Sequence, residues 1–131
     1  MNYIGASINT SATIYGVVAE KIENGAGKAV KFDGDGKVVL CSAAGEAAIG
    51  VLIMQTPDVV AAGDEVTIQI KDIGPVVASG AIALGAEVTV DANGKIKAAA
   101  SGNAVLGQAM TSASADGDIV QVQITKTGYK A

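Results

Sequence analysis

The sequence predicts an all-β fold: a compact barrel-like or sandwich domain of short hairpins with an internal duplication, preceded by an extended N-terminal arm. Three observations predict it. The apolar set is dominated by β-branched residues, 16 Val and 13 Ile against 4 Leu, and two heavy groups on Cβ suit a pleated sheet better than a helix. Turn signals recur at short spacing, above all Asp33-Gly34-Asp35-Gly36 and Asp91-Ala92-Asn93-Gly94, where Asp, Asn and Gly tolerate the positive φ of tight hairpins. The chain also repeats itself: Gly16, Gly27, Val30, Asp33, Gly36 and Lys37 recur in order as Gly74, Gly85, Val88, Asp91, Gly94 and Lys95. The match continues with Ile49-Gly50 against Leu106-Gly107, Gly63-Asp64 against Gly117-Asp118, and Gln69-Ile70 against Gln123-Ile124.

These matches divide residues 14–124 into two pseudo-repeats, about 14–71 and 72–124, flanked by an arm at 1–13 and a polar tail at 125–131. Two copies are too few for a solenoid, which leaves a pseudo-symmetric compact body. In the first copy, residues 16–22 read as a strand and Asn24-Gly25-Ala26-Gly27 as a turn. Residues 28–32 and 38–41 then form a hairpin around Asp33–Gly36. Residues 48–54 are a longer apolar run, fit for a strand buried on both faces or at a subunit contact. Pro57 ends that run. Residues 65–71 alternate strictly, with Val66, Ile68 and Ile70 inward and Thr67, Gln69 and Lys71 outward. The second copy repeats this order with strands over 73–78, 86–90, 95–99, 104–110 and 119–125. In the last of these Val120, Val122 and Ile124 face inward. Helical periodicity is weak, and the one short turn conceivable near residues 43–48 is opposed by Gly45.

Composition excludes several kinds of chemistry. There is no His, no Trp and no Arg, so imidazole catalysis, histidine-ligated metal and arginine clamps on phosphate have no residues to build them. The net charge of −4 and the absence of a clustered basic patch argue against a nucleic-acid partner. Residues 1–19 carry no charged side chain. They nevertheless lack the basic start of a signal peptide and are interrupted by Asn2, Ser7, Asn9, Thr10, Ser11 and Thr13. Residues 98–115 are also uncharged but too polar to span a bilayer, so no membrane partner is expected. A core of Val, Ile and Ala is thin, and association between subunits is expected to supply further buried area.

The remaining candidate sites each have a plainer structural reading. The two Asp-rich turns resemble half of a calcium loop, but both lack the third ligand and the downstream bidentate Glu. Lys37 and Lys95 sit at hairpins as the modified lysine of lipoyl carrier domains does, but within Gly-Lys-Val and Gly-Lys-Ile. Asp64, Asp72, Asp116 and Asp118 offer carboxylates for hydrolysis, yet Asp64 and Asp118 occupy matching turns where they would cap amides. Gly25-Ala26-Gly27-Lys28 lacks the spacing and hydroxyl of a phosphate loop. The lone Cys41, after Val38, Val39 and Leu40, reads as a small core hydrophobe. No catalytic residue, metal ligand or cofactor is expected, and the chain is not read as an enzyme.

The stretches Ala61-Ala62-Gly63-Asp64-Glu65-Val66-Thr67-Ile68, Gly80-Ala81-Ile82-Ala83-Leu84-Gly85-Ala86-Glu87-Val88 and Asp91-Ala92-Asn93-Gly94-Lys95 carry a family resemblance. It continues through Asn103-Ala104-Val105-Leu106-Gly107-Gln108-Ala109 and Ala115-Asp116-Gly117-Asp118-Ile119-Val120-Gln121-Val122. Over residues 45–124 this pattern resembles the capsid decoration, or cement, proteins of tailed bacteriophages. The resemblance implies a structural virion protein, made in the host cytoplasm, that sits on the outer surface of the expanded capsid. Its partners would be the major capsid protein and copies of itself, as a homotrimer. On that reading Tyr3, Ile4, Ile8 and Ile14 form a capsid-contact arm, and Ile49, Leu52, Met54, Leu106 and Met110 serve subunit packing. The alternative from another class is a secreted or cell-surface module for a glycan or protein. Three Tyr and one Phe give it few aromatic platforms.

Overall fold

A computed structural model describes residues 11–131, and among them there are strands and turns but no helix. The strands are β1 (Thr13–Val17), β2 (Ile22–Glu23), β3 (Ala29–Phe32), β4 (Val38–Leu40), β5 (Gly50–Leu52), β6 (Val59–Val60), β7 (Glu65–Gln69), β8 (Asp72–Val77), β9 (Glu87–Val90), β10 (Ile96–Ala98), β11 (Ala104–Ala109) and β12 (Ile119–Tyr129). They form a five-stranded sheet in the order β1-β7-β5-β3-β4 and a second in the order β8-β12-β11-β9-β10, with β2 and β6 as a separate pair. All neighbouring strands are antiparallel. Each large sheet curls until its two edges touch at one parallel bridge, Val18 with Val38 and Ala78 with Ile96. Neither closes into a barrel, and the sandwich-like form of the expectation is the one the chain adopts.

Each sheet wraps its own core. Val18, Ile22, Val30, Val38, Leu52, Val60, Val66 and Ile68 fill the first. Val76, Ala78, Ile82, Val88, Ile96, Leu106, Ala109, Val120, Val122 and Ile124 fill the second, and Val51 of β5 joins them. The short strand β5 is therefore buried on both sides, Leu52 in one core and Val51 in the other. This is the first of the two roles open to residues 48–54. A small cluster of Ala29, Cys41 and Val90 ties the cores together. Backbone bonds also cross the seam, from Ala29 N–H to Gly94 O at 2.7 Å, Gly45 N–H to Val90 O at 2.9 Å and Val77 N–H to Gly27 O at 2.9 Å.

The strand order of the two sheets is the same, and most of the sequence matches fall on equivalent positions. Gly50 and Gly107 both lie where a Cβ would collide with backbone, at Gln69 and Gln123 respectively, so close sheet contact forbids a side chain at either. Gly16 and Gly74 are the exception. Gly16 pairs with Val66, whereas Val120, the counterpart of Val66, pairs with Val76. The register differs because the loop from Ile82 to Gly85 is two residues shorter than that from Ile22 to Gly27. The two glycines have unrelated reasons: a Cβ on Gly16 would meet Val38 and Ile68, and one on Gly74 would meet the Gln69 side chain.

Two boundaries also differ from expectation. The first strand occupies Thr13–Val17, not 16–22. The tail at 125–131 is largely strand, since β12 runs to Tyr129. Register shifts between Val105 and Gly107, so that Gly107 faces Ile124 while Val105 faces Gly128. Lys126 takes up the slack at φ 46, and its Nζ donates to Ile49 O across the seam at 2.9 Å. A bulge of this kind bends a strand without ending its ladder.

Candidate functional site

Four aspartates hold turns through backbone amides. Asp33 Oδ1 accepts the Asp35 and Lys37 amides, each at 2.9 Å, and Asp91 Oδ1 accepts those of Asn93 and Lys95 at 2.8 and 2.9 Å. One oxygen of the leading Asp in each turn thus holds its hairpin. Asp64 Oδ2 accepts the Ala61 amide at 3.0 Å. Asp118 Oδ2 accepts those of Ser114 and Ala115 at 2.9 and 3.1 Å. The Ser114 amide, the Ala115 amide and the Ser114 hydroxyl hold the Asp118 carboxyl below its usual range. Asp116 accepts from Lys95 Nζ at 2.8 Å, which raises that lysine's pKa. Asp72 is exposed at the start of β8, at φ 65. The four carboxylates considered for hydrolysis thus lie in three separate settings.

The tightest polar cluster surrounds Glu46. Its Oε1 accepts from Lys31 Nζ at 2.7 Å, and its Oε2 from the Ser42 and Ala43 amides at 2.6 and 2.8 Å. Burial opposes ionisation of this carboxyl, but the Lys31 ammonium and the two amides outweigh it and lower the pKa. The bond to Glu46 raises that of Lys31 in turn. Cys41 is buried beside them, and burial, then the Glu46 charge, pushes its thiol up to about 12. A thiol that far above neutrality carries no useful thiolate. Among the described residues no group of three His, Cys, Asp or Glu is placed to hold a metal ion.

The surface offers apolar side chains and unpaired backbone. Exposed large apolar residues include Tyr15, Val17, Met54, Ile73, Met110 and Ile119. Ile73 lies on β8 opposite Gln123, and Val77 opposite Ile119. Met54 lies over Gly27 and beside Val77. Tyr15 and Val17 alternate along β1 with Ile14 and Gly16.

Of the residues expected to form the capsid-contact arm, Tyr3, Ile4 and Ile8 fall outside the described residues. Ile14 is no part of an arm: it lies in β1, paired with Ile68 and packed on the first core. Among the subunit-packing candidates, Leu52 and Leu106 are spent inside the two cores, and Ile49 is half-buried against the first. Only Met54 and Met110 expose substantial surface, 41% and 42%. Tyr15, Val17, Ile73 and Ile119 were not singled out by their sequence, although the alternation of Ile14-Tyr15-Gly16-Val17 carried a signal for the first two.

Strands β1 and β8 are outer strands of their sheets, and they occupy equivalent places. Val18 N–H donates to Asp64 O at 2.9 Å, and Ala78 N–H to Asp118 O at 2.8 Å. Alternation along an antiparallel ladder then turns the N–H and C=O groups of Thr13, Tyr15 and Val17 outward in β1, and those of Ile73, Pro75 and Val77 outward in β8. On β8 the edge is guarded: Pro75 has no N–H, and the Val77 amide is taken by Gly27 O. On β1 the Thr13 amide is met by Ser11 Oγ at 3.2 Å, and the far end of the strand closes on β4 at the Val18–Val38 bridge, where Ala19 N–H donates to Val38 O at 3.0 Å.

A family model described as phage cement protein matches residues 56–124, more than half of the chain. Among solved structures, the head fiber gp8.5 N base of bacteriophage phi29 is similar over 91% of this chain and 98% of that one, with a TM-score of 0.65 and 17% sequence identity. At that identity the likeness is one of fold. No curated protein matches the sequence significantly.

Proposed function

The chain belongs to the phage cement protein family and is a structural protein of the virion, and we propose that it binds the outer surface of the expanded capsid and stabilises the lattice of the major capsid protein. The observation that carries this reading is the family match over residues 56–124, which begins before β6 and runs through most of the second sheet. The fold likeness to a phage head-fiber base extends over nearly the whole chain and supports it. The chemistry is compatible with a protein that binds and holds: four aspartates cap turns, the thiol is buried and protonated, and apolar side chains stand exposed on the surface.

On this reading copies associate as trimers at three-fold or quasi-three-fold positions and clamp neighbouring shell subunits against internal pressure. Tyr3, Ile4 and Ile8 contact the shell, and Met54 and Met110 are the packing candidates left with surface to offer a second copy. A ligand that binds only the expanded lattice stabilises that state by mass action. The test is sedimentation of the protein with expanded and with unexpanded shells. Saturable co-sedimentation with expanded shells alone is expected. Equal recovery with both, or with neither, overturns the reading.

A further inference from the structure

We propose that the cleft between the two halves, with Lys28 on its wall, receives a single acidic side chain of the capsid shell protein. This rests on the shell-binding reading above and names a contact through which it works. The cleft has a volume of about 390 Å³. The first half supplies Glu20, Lys21, Lys28 and the residues at the end of β4, and the second half supplies the tip of the β9–β10 hairpin with Lys95. The bond from Ala29 N–H to Gly94 O at 2.7 Å fixes that tip against the start of β3. The polar side chains belong to this place and not to the shared hairpin design. Where the first copy has Glu20, Lys21, Lys28 and Ser42, the second has Gly80, Ala81, Ala86 and Ala100.

The charges around the cleft define what fits it. Lys21 is bonded to Glu23 and Lys95 to Asp116, each at 2.8 Å, and neither acid lines the cleft. Lys28 is half-buried and has no ion pair or side-chain hydrogen bond among the described residues. The side-chain amide of Asn93, on the opposite wall, has no hydrogen bond among them either. An ammonium without a counter-ion, facing a free amide donor, suits a carboxylate, since charge-assisted hydrogen bonds are roughly twice as strong as neutral ones. Ile22 and Leu40 give the methylenes of the entering side chain an apolar wall. Glu20 is exposed at the same cleft, and its charge repels a second acidic group. One carboxylate therefore fits better than a polyanion, and without Arg no bidentate fork selects phosphate.

The test gives the first copy the side chain of the second. Lys28→Ala, which matches Ala86, is expected to weaken binding to expanded shells by about tenfold. Lys28→Arg should stay within a few fold of the parent, and Glu20→Gln should bind more tightly. Lys37→Ala removes the same charge from an exposed position outside the cleft, and it should bind as the parent does. No weakening by Lys28→Ala, or equal weakening by Lys37→Ala, overturns the proposal while leaving shell binding intact. Failure of the parent protein to bind shells removes the functional reading itself. A second measurement reads the cleft without shells. In an NMR titration, a Gly-Glu-Gly peptide capped at both ends should shift the Asn93 side-chain amide, and capped Gly-Gln-Gly should not. No response to the acidic peptide, or an equal response to inorganic phosphate, contradicts the proposal. Association of copies that depends on Lys28 without shells assigns the cleft to a second copy and also contradicts it.

Discussion

Two sheets of the same strand order differ in what covers their outer faces. Val51 on β5 and Gln108 on β11 hold equivalent positions, each one residue after a glycine that the next strand crowds. Val51 is 2% exposed and packs into the second core, while Gln108 stands in solvent with its amide on Gly85 O at 3.0 Å. Ala29 and Glu87 differ in the same way, the first buried at the seam and the second exposed and bonded to Lys130 at 3.0 Å. The second half thus serves as the lid of the first, and among the described residues nothing serves as the lid of the second. Duplicated backbones have been given opposite surface chemistry, apolar at the seam and amide or carboxylate where water remains. The lesson is that strand order sets which positions are equivalent, and side-chain polarity decides which of them meet.

Exchanging these side chains should break the comparison most sharply. Val51→Gln loses about 1.5–3 kcal/mol of apolar burial and forces an amide into the seam at a further cost of about 1–3 kcal/mol. Urea denaturation should show a large drop in midpoint. Gln108→Val, the reverse exchange at the open position, should stay within about 0.5 kcal/mol of the parent. Equal losses at the two positions would mean that the outer faces are not differently covered.

A smaller effect separates Glu46 from Asn103. Both side chains cap a turn, Glu46 on the Ala43 amide at 2.8 Å and Asn103 on the Ala100 amide at 2.9 Å, but only the carboxylate titrates. Its pKa is lowered in the fold. Its contribution is therefore fully present above the ordinary glutamate value of about 4.3 and is lost as pH falls through the lower folded value. Glu46→Gln should be less stable than the parent at neutral pH, and the gap should close on acidification below about pH 4. For Asn103→Ala the deficit should not vary across that range. Thermal melts against pH read both.

The smallest effect is expected at Thr89, whose counterpart is the half-buried Lys31. Thr89 is fully buried and its Oγ1 has no hydrogen-bond partner. Thr89→Val keeps the shape and removes the unsatisfied group, so the change should lie between neutral and about 1 kcal/mol stabilising. A loss of stability in equilibrium unfolding would show that the hydroxyl is satisfied in solution.

Local signals in the sequence carried much of this architecture. The Asp33–Lys37 and Asp91–Lys95 hairpins follow from residues a few positions apart, as does the inward set Val66, Ile68 and Ile70. The repeat was readable too, because turn residues keep their order when core residues drift. What was hidden depends on distant pairing. The Gly16–Gly74 match is a coincidence of composition, undone by a two-residue difference in a loop that only the bridges Ile22–Val60 and Ile82–Ala113 reveal. Leu52 and Met54 belong to one apolar run, and only the fold of the first sheet decides that Leu52 enters its core while Met54 stays exposed. The extension of β12 to Tyr129 rests on Ala104 and Val105 across the ladder, since Thr125-Lys126-Thr127-Gly128 has no apolar alternation to announce a strand.

The central claim is that this fold holds a capsid together, and calorimetric melting of expanded shells addresses it most directly. Shells saturated with the protein should melt at a higher temperature than bare shells, and the increase should grow with free protein concentration as binding linkage requires. Shells carrying full occupancy that melt at the bare-shell temperature would contradict it.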